Sequence, residues 1–231
     1  MTTKNRKLIA IVGVGVVLGA AVAAERFDFK VRNDFFAGFA GSQESLQRGM
    51  KTCEEILAGN PKHAEAMVWH GAGLFFLSGQ AFQKGDVAKG QDLWARGLKE
   101  MDDAVALEPD SIGVRAPRGA GLLQASLAVP PDRAPDLIRR GLQDYERIHE
   151  LQKDRLDKLG EHPRGELLFG LANGWYRAGD QEKARGYYER VVREVPGSEY
   201  AKRSKTWLET GTLPKNQMTC IGCHVPQSAG R

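Results

Sequence analysis

Near the C-terminus Cys220 and Cys223 stand three positions apart and His224 follows directly, in the run Cys220-Ile221-Gly222-Cys223-His224. Two thiols at this spacing with an imidazole after the second form the arrangement that attaches a c-type haem. Both sulfurs bond the porphyrin vinyls as thioethers, and the histidine, one short turn on, offers a ring nitrogen to one face of the iron. The expected cofactor is one covalent haem c, with Cys220 and Cys223 holding the macrocycle and His224 binding the metal. The same residues also fit a chance coincidence, a local dithiol or disulfide, or part of a zinc site, although zinc usually takes four ligands and the tail offers three at most. A second axial ligand is harder to place. Only seven residues follow His224, none of them Met or His, and Met218 is too close in sequence to reach the opposite face, so the tail is not a complete cytochrome domain. His63, His70, His149 or His162 would serve only if the tail returned to the rest of the chain. Each has a plainer reading: His63 and His162 in polar linkers beside prolines, His149 on a charged helix, His70 at a helix seam. Five-coordinate iron, whose open position would suit a haem peroxidase or sensor, or a ligand from a partner protein, stays open, as does an interaction scaffold whose tail cysteines are unmodified.

The N-terminus is a different material. Lys4, Arg6 and Lys7 precede an uncharged, largely apolar run over residues 8–24, and Ala21, Ala23 and Ala24 supply small residues just before Glu25. This pattern predicts a signal peptide over residues 1–24 and an exported protein, periplasmic or in the cell envelope. Retained, the same run would be a membrane anchor, the one route by which the chain would touch a bilayer. The leader also distorts the charge. The whole chain is formally +4, but past residue 24 there remain thirty basic against twenty-nine acidic residues, a net of +1. No Lys/Arg block interleaved with aromatics remains, so the sequence does not read as a nucleic-acid binder.

Between Glu25 and about Leu213 the pattern is helical throughout, with prolines mostly at element boundaries, and the expected fold class is all-α. The clearest internal unit is Leu168-Phe-Gly-Leu171-Ala172-Asn-Gly-Trp175, followed by Gly179-Asp180, Ala184, Tyr188 and Pro196. Small Ala172 and Ala184 suit a close helix crossing, Leu171, Trp175 and Tyr188 fill the seam, Gly179-Asp180 turns the chain, and Pro196 stops the second helix. This spacing resembles the tetratricopeptide repeat, a helix pair of about 34 residues. Three weaker units precede it: Phe36, Ala37 and Ala40 with Gly49, Cys53 and Ile56; Met67, His70, Gly71 and Leu74 with Gly97, Met101 and Ala104; Gly119 and Leu122 with Gly141, Tyr145 and Ile148.

The middle units depart from the family's period. Extra residues around Gly79 to Gly90 predict both helices of the second pair lengthened, and the third divides its surplus between the loop at Pro130-Pro131 and a long helix from Pro135 to about Leu159. Pro117 should bend or shorten the helix that contains it. Ser198 caps an expected last helix through Leu208, whose Tyr200, Ala201, Ser204 and Trp207 would close the open end of the array. The predicted organisation is therefore a leader (1–24), a tetratricopeptide-like helical array (25–208) with two extended repeats, and a short irregular haem-attachment tail (209–231). Cys53 reads as a small buried core residue. Asp102-Asp103 and Glu54-Glu55 read as solvated helix faces, and no nucleophile with an adjacent base or phosphate-cradling loop is present, so no enzyme is expected. The resemblance implies a repeat surface that binds a protein or peptide, to or from which the tethered haem would pass electrons.

Overall fold

A computed structural model describes residues 26–213; the predicted leader and the cysteine-histidine run lie outside that range. The described residues form nine α-helices and no strand, as the all-α expectation requires. In chain order they are α1 (Asp28–Phe39), α2 (Gln43–Gly59), α3 (Ala64–Gln83), α4 (Val87–Leu107), α5 (Ile112–Ala125), α6 (Ala134–Gln152), α7 (Glu161–Arg177), α8 (Gln181–Glu194) and α9 (Glu199–Thr210), with a 3-10 segment, Lys153–Lys158, after α6. Side-chain caps fix several starts. Ser42, Asp86, Asp180 and Ser198 each accept a backbone N–H from the first turn of the helix they open, and His63 does the same through Nδ1. These bonds satisfy donors that a helix start otherwise leaves orphaned. Gly179, at φ +86°, makes the tight return from α7 to α8 in a conformation that side-chained residues rarely adopt.

The helices form four antiparallel pairs. Gly71 of α3 faces Gly97 of α4 while Phe75 meets Trp94, with ring centroids 4.2 Å apart. Phe169 of α7 likewise meets Tyr188 of α8 at 5.9 Å, and nearer the turn Lys183 lies over the Trp175 ring at 3.7 Å. Odd-numbered helices run side by side in one direction. The Phe27 and His63 rings meet at a tilt at the starts of α1 and α3, Phe39 and Phe76 meet toward their ends, and Arg177 at the end of α7 bonds the Leu123 carbonyl and the Ser126 hydroxyl at the end of α5. Tyr200, Ala201, Ser204 and Trp207 of α9 are all buried, so this single helix covers the exposed side of the last pair.

Two apolar clusters make the core. One takes Phe35, Leu46, Cys53, Val68, Trp69 and Met101 from the first four helices together with Val114 and Leu122 of α5; the other takes Leu123 with Tyr145, Leu168, Tyr188 and Trp207 from the later ones. Where they adjoin lies an ionic cluster. Asp144 of α6, whose side chain has no exposed surface, accepts from Arg115 at 2.6 Å and from Arg118 at 2.7 and 2.8 Å, both on α5. Arg118 also donates to Asp102 of α4 at 3.0 Å, and Arg140 of α6 bonds the same carboxylate. Leaving one partner of such a buried pair alone costs about 3–5 kcal/mol, so the cluster stabilises only as a complete set.

Several local expectations change. The long helix of the third pair ends at Gln152 and continues as the 3-10 segment, because Arg155 leaves helical geometry at φ −136°. His162 and Pro163 sit in the first turn of α7, where proline's missing N–H costs nothing, and not in a linker. Pro117 is accommodated inside α5, which at 14 residues is shorter than α3 with 20. Both helices of the second pair are extended, as the surplus around Gly79 to Gly90 predicts. Trp175 is only half-buried near the end of α7, packed against the second core with Lys183 of α8 over its ring. Asp102 belongs to the ionic cluster and Glu54 lies 3.6 Å from His70, so neither is only a solvated face.

Gly71, Gly73 and Gly119 lie where an added Cβ would crowd a neighbour, whereas Gly121 faces open space. At Gly97 a Cβ would fall 2.6 Å from the Gly71 carbonyl oxygen and 2.8 Å from the Phe75 nitrogen, both backbone atoms with little room to move. Gly97→Ala should therefore cost about 1–3 kcal/mol. Gly186, exposed in the middle of α8 with nothing within 4 Å of an added Cβ, should gain about 0.5–1 kcal/mol on the same change. Thermal unfolding of the two variants should shift in opposite directions; a stabilised Gly97→Ala would contradict the close α3–α4 crossing.

Candidate functional site

The three residues predicted to hold haem, Cys220, Cys223 and His224, lie outside the described residues, so the structure speaks to the platform from which they extend. That platform is firm. The Trp207 ring stacks on Tyr188 at 4.5 Å and meets Tyr176 edge-on at 5.6 Å. Gly211 then ends α9 in the left-handed region at φ +71°, its N–H bonding the Trp207 carbonyl at 2.7 Å. Leu213, the last described residue, is only 5% exposed and belongs to the second core. A seven-residue step from Leu213 to Cys220 spans at most about 24 Å of extended chain.

The four described histidines differ in how they could meet a metal. His63 uses its Nδ1 lone pair to accept the Ala66 N–H at 3.2 Å, which puts the proton of the neutral ring on Nε2. Binding through Nδ1 would cost the cap of α3. His70 is buried, with Nδ1 2.6 Å from the Glu100 carboxylate and Nε2 turned toward Glu54, a setting that ties α3 to α2 and α4. His149 lies edge-on to Tyr187, with Nε2 3.4 Å from an Arg190 nitrogen. Burial first, and then the Arg190 charge, hold its pKa below the ordinary histidine value. His162 is the most accessible, its side chain 52% exposed, close to Tyr200 of α9 and to Glu166. It sits at the start of α7, away from the end at which Leu213 leaves α9. Among the described residues no three His, Cys, Asp or Glu side chains converge to hold a metal ion, and no helix is long and apolar enough to cross a membrane.

Cys53 occupies the interior slot expected for it, with no exposed surface. Burial, aided by the charges of Glu54 and Glu100, pushes its thiol up to about 12. A thiol in that state is neither nucleophile nor ligand at neutral pH.

The donor set in the tail itself fits a c-type haem: two thiols for the vinyls and one imidazole for the iron. What the sequence does not signal is a hollow on the body close to where the tail begins. Between the first half of α6 and the end of α7 an open recess of about 430 Å³ is lined by Ile138, Leu142, Trp175 and Ala178, with Arg139 and Arg177 among the polar groups beside them. Trp175 forms one wall of it and Ala178, just past α7, leaves space with its small side chain; only a three-dimensional arrangement of two helices that are not a hairpin pair produces it. Comparison with family models, with curated proteins and with solved structures gave no match for this chain.

Two measurements check these environments. In a Cys220→Ala/Cys223→Ala chain, an alkylating reagent at neutral pH should modify Cys53 only as the protein unfolds, read by intact mass with and without denaturant; rapid native labelling would show the thiol is not sealed. For His149, the folded state favours the neutral ring, so the unfolded chain binds more protons as pH falls below about 6.5. Its contribution to stability is then present above that pH and lost on acidification through the lowered folded-state pKa, with Arg190, Glu150 and Glu194 as the charges around it. His149→Gln should flatten the acid limb of stability against pH, and an unchanged slope would contradict this environment.

Proposed function

We propose that this chain is an exported, tetratricopeptide-like interaction scaffold that carries one covalent haem c on its C-terminal tail and exchanges single electrons with a protein or peptide partner held on the helical array. The observation that carries the proposal is the Cys220-Ile221-Gly222-Cys223-His224 run in a chain that opens with an export-type leader. Covalent haem attachment takes place outside the cytoplasm in proteins of this kind, so the two features support each other. Four antiparallel helix pairs followed by a closing helix, with Ala172 and Ala184 fully buried at the crossing of α7 and α8, support the repeat reading.

Cys220 and Cys223 would each add S–H across one vinyl double bond, fixing the macrocycle without loss of any atom, and His224 would offer its ring nitrogen to the iron. A haem so held supplies one-electron chemistry, taking an electron from one partner as ferric iron and giving one up as ferrous. The chain's own part is to bind the partner and to restrict where the tail can travel, since α9 and Leu213 fix its origin. On this reading the protein is a carrier and docking surface, in the periplasm or cell envelope, and not an enzyme.

The deciding experiment is intact mass and visible absorbance of chain exported from a host competent for cytochrome maturation, beside Cys220→Ala/Cys223→Ala. Wild type should carry the mass of one haem and a Soret band that persist after denaturation; the double variant should have neither. A wild-type chain at bare mass would end the redox proposal and leave a docking scaffold with unmodified thiols.

A further inference from the structure

We propose that the second core carries single oxidising equivalents along α9, from Trp207 near its end to a proton-coupled pair, Tyr200 and His162, at its start. This activity goes beyond the haem reading and does not rest on it, since every residue involved belongs to the body.

Residue chemistry comes first. Tyrosine and tryptophan give up one electron far more readily than phenylalanine, and all five tyrosines of the chain lie in the second core or pack against it. In the first core the aromatic rings, apart from Trp69 and Trp94, are phenylalanines. Geometry then orders the oxidisable rings. Tyr176, partly open to solvent near the end of α7, meets Trp207 with ring centroids 5.6 Å apart. Trp207 stacks on Tyr188 at 4.5 Å, Tyr188 meets Phe169 at 5.9 Å, and Phe169 meets Tyr200 at 5.7 Å. Tyr200 and Trp207 are seven residues apart on α9, about 10.5 Å along its axis. The buried rings of Tyr188 and Phe169 fill the space between them with close-packed side chain, through which an electron tunnels better than through water.

Where the charge stops depends on where a proton can go. Loss of an electron makes an indole or a phenol strongly acidic, and the radical comes to rest beside a base that takes the proton. Among the described residues neither Trp207 Nε1 nor the Tyr188 hydroxyl has a hydrogen-bond partner. Oxidised Trp207 therefore keeps its proton as a radical cation, and the Arg185 guanidinium, 5.6 Å from the ring centroid, disfavours a positive charge resting there. Tyr188 has no exposed surface and no acceptor, so it passes the charge through its ring without holding it. Tyr200 differs, because its hydroxyl lies 3.5 Å from His162 Nδ1. That is the long limit of a hydrogen bond, and a small tilt of the imidazole brings the two atoms together. His162 turns Nε2 toward Glu166 at 3.8 Å, which puts the proton of the neutral ring on Nε2 and leaves the Nδ1 lone pair for the phenol. With its side chain 52% exposed, an imidazolium at this position is solvated.

An organic peroxyl radical is the class of oxidant this path would meet at the Tyr176 edge. It takes one electron from Trp207 and a proton from solvent and leaves as the hydroperoxide. Tyr200 returns an electron to Trp207, and the Tyr200 phenol proton moves to His162 Nδ1. One phenol O–H bond breaks and one hydroperoxide O–H bond forms, leaving a neutral tyrosyl radical and an imidazolium. The oxidant is reduced at one end of α9 and the radical is held in the interior at the other.

The test fixes the oxidant in place. In the full-length Cys220→Ala/Cys223→Ala chain, whose Cys53 is sealed, Glu209→Cys on the exposed last turn of α9 carries a ruthenium polypyridyl label. A flash with an external quencher then generates ruthenium(III) there. Transient absorbance follows tryptophan and tyrosyl radicals, paramagnetic resonance with ring-deuterated tyrosine identifies the latter, and circular dichroism checks the fold of each variant. The labelled parent should form a tyrosyl radical. Tyr200→Phe, which keeps the ring and removes the phenol, should lose most of it, and Trp207→Phe should form it much more slowly. His162→Gln should lower its yield, whereas Tyr188→Phe should leave rate and yield unchanged. No tyrosyl radical in the parent, an unchanged yield in Tyr200→Phe or His162→Gln, or an unchanged rate in Trp207→Phe would each overturn the proposal. Loss of the radical in Tyr188→Phe would overturn the assignment of Tyr200 as the place where it rests. None of these results bears on haem attachment, because the chain tested lacks both tail cysteines.

Discussion

A carboxylate with no exposed surface, Asp144, ties the two halves of the helical array together. Taking a charge out of water is costly by several kcal/mol unless opposite charge and hydrogen bonds replace the solvent, and here Arg115 and Arg118 do so from the adjacent helix. Arg118 carries the constraint on to Asp102 of α4, which Arg140 of α6 also holds. Three helices are therefore set by one network at the line where the two apolar clusters adjoin. Apolar packing alone tolerates sliding better than this, because hydrophobic contact has no preferred direction, whereas a guanidinium fork meeting a carboxylate does. That network helps to set α6 on α5, and α7 is tied to α5 besides through Arg177, Leu123 and Ser126.

Much of the helical layout was legible because its signals are local. Ser198 at the start of α9, Gly179-Asp180 between α7 and α8, and the buried positions Leu171, Ala172, Ala184 and Tyr188 all follow from residues within a turn or two of each other. The extra length of the second pair was equally readable from the surplus between its two halves. What failed was long-range. Asp102, on an acidic stretch of α4, looks solvated until Arg118 and Arg140 arrive from 16 and 38 residues away. Trp175 has the residue type and spacing of a seam position and packs against the second core under Lys183 of α8, yet it stays half-exposed and also borders the recess beside α6. The end of α6 was misplaced because residues 153–158 keep a helical composition while Arg155 departs from helical backbone. For the candidate site the balance reverses. Cys220, Cys223 and His224 were named from sequence alone and lie outside the described residues, while the recess near the tail's origin has no sequence signature.

The body's own reactive groups are engaged in holding it together. Cys53 is sealed and held as a thiol, His63 caps α3, and His70 links α3 to its neighbours through Glu100. Here the helices act as a frame, and on the proposed function reactivity belongs to a segment that hangs from it.

That frame has an odd number of described helices, and the parity matters. Four hairpins would return the polypeptide to the side of the array on which it began; α9 reverses this, so Arg26 and Leu213 sit on opposite sides, separated along the helix axes by roughly 20–25 Å. Appending further hairpins would widen such a protein without moving its two exits apart in that direction, whereas deleting α9 would bring both onto one side. The single terminal helix is thus a spacer as well as a lid, and it decides which way the chain faces when one end is tethered.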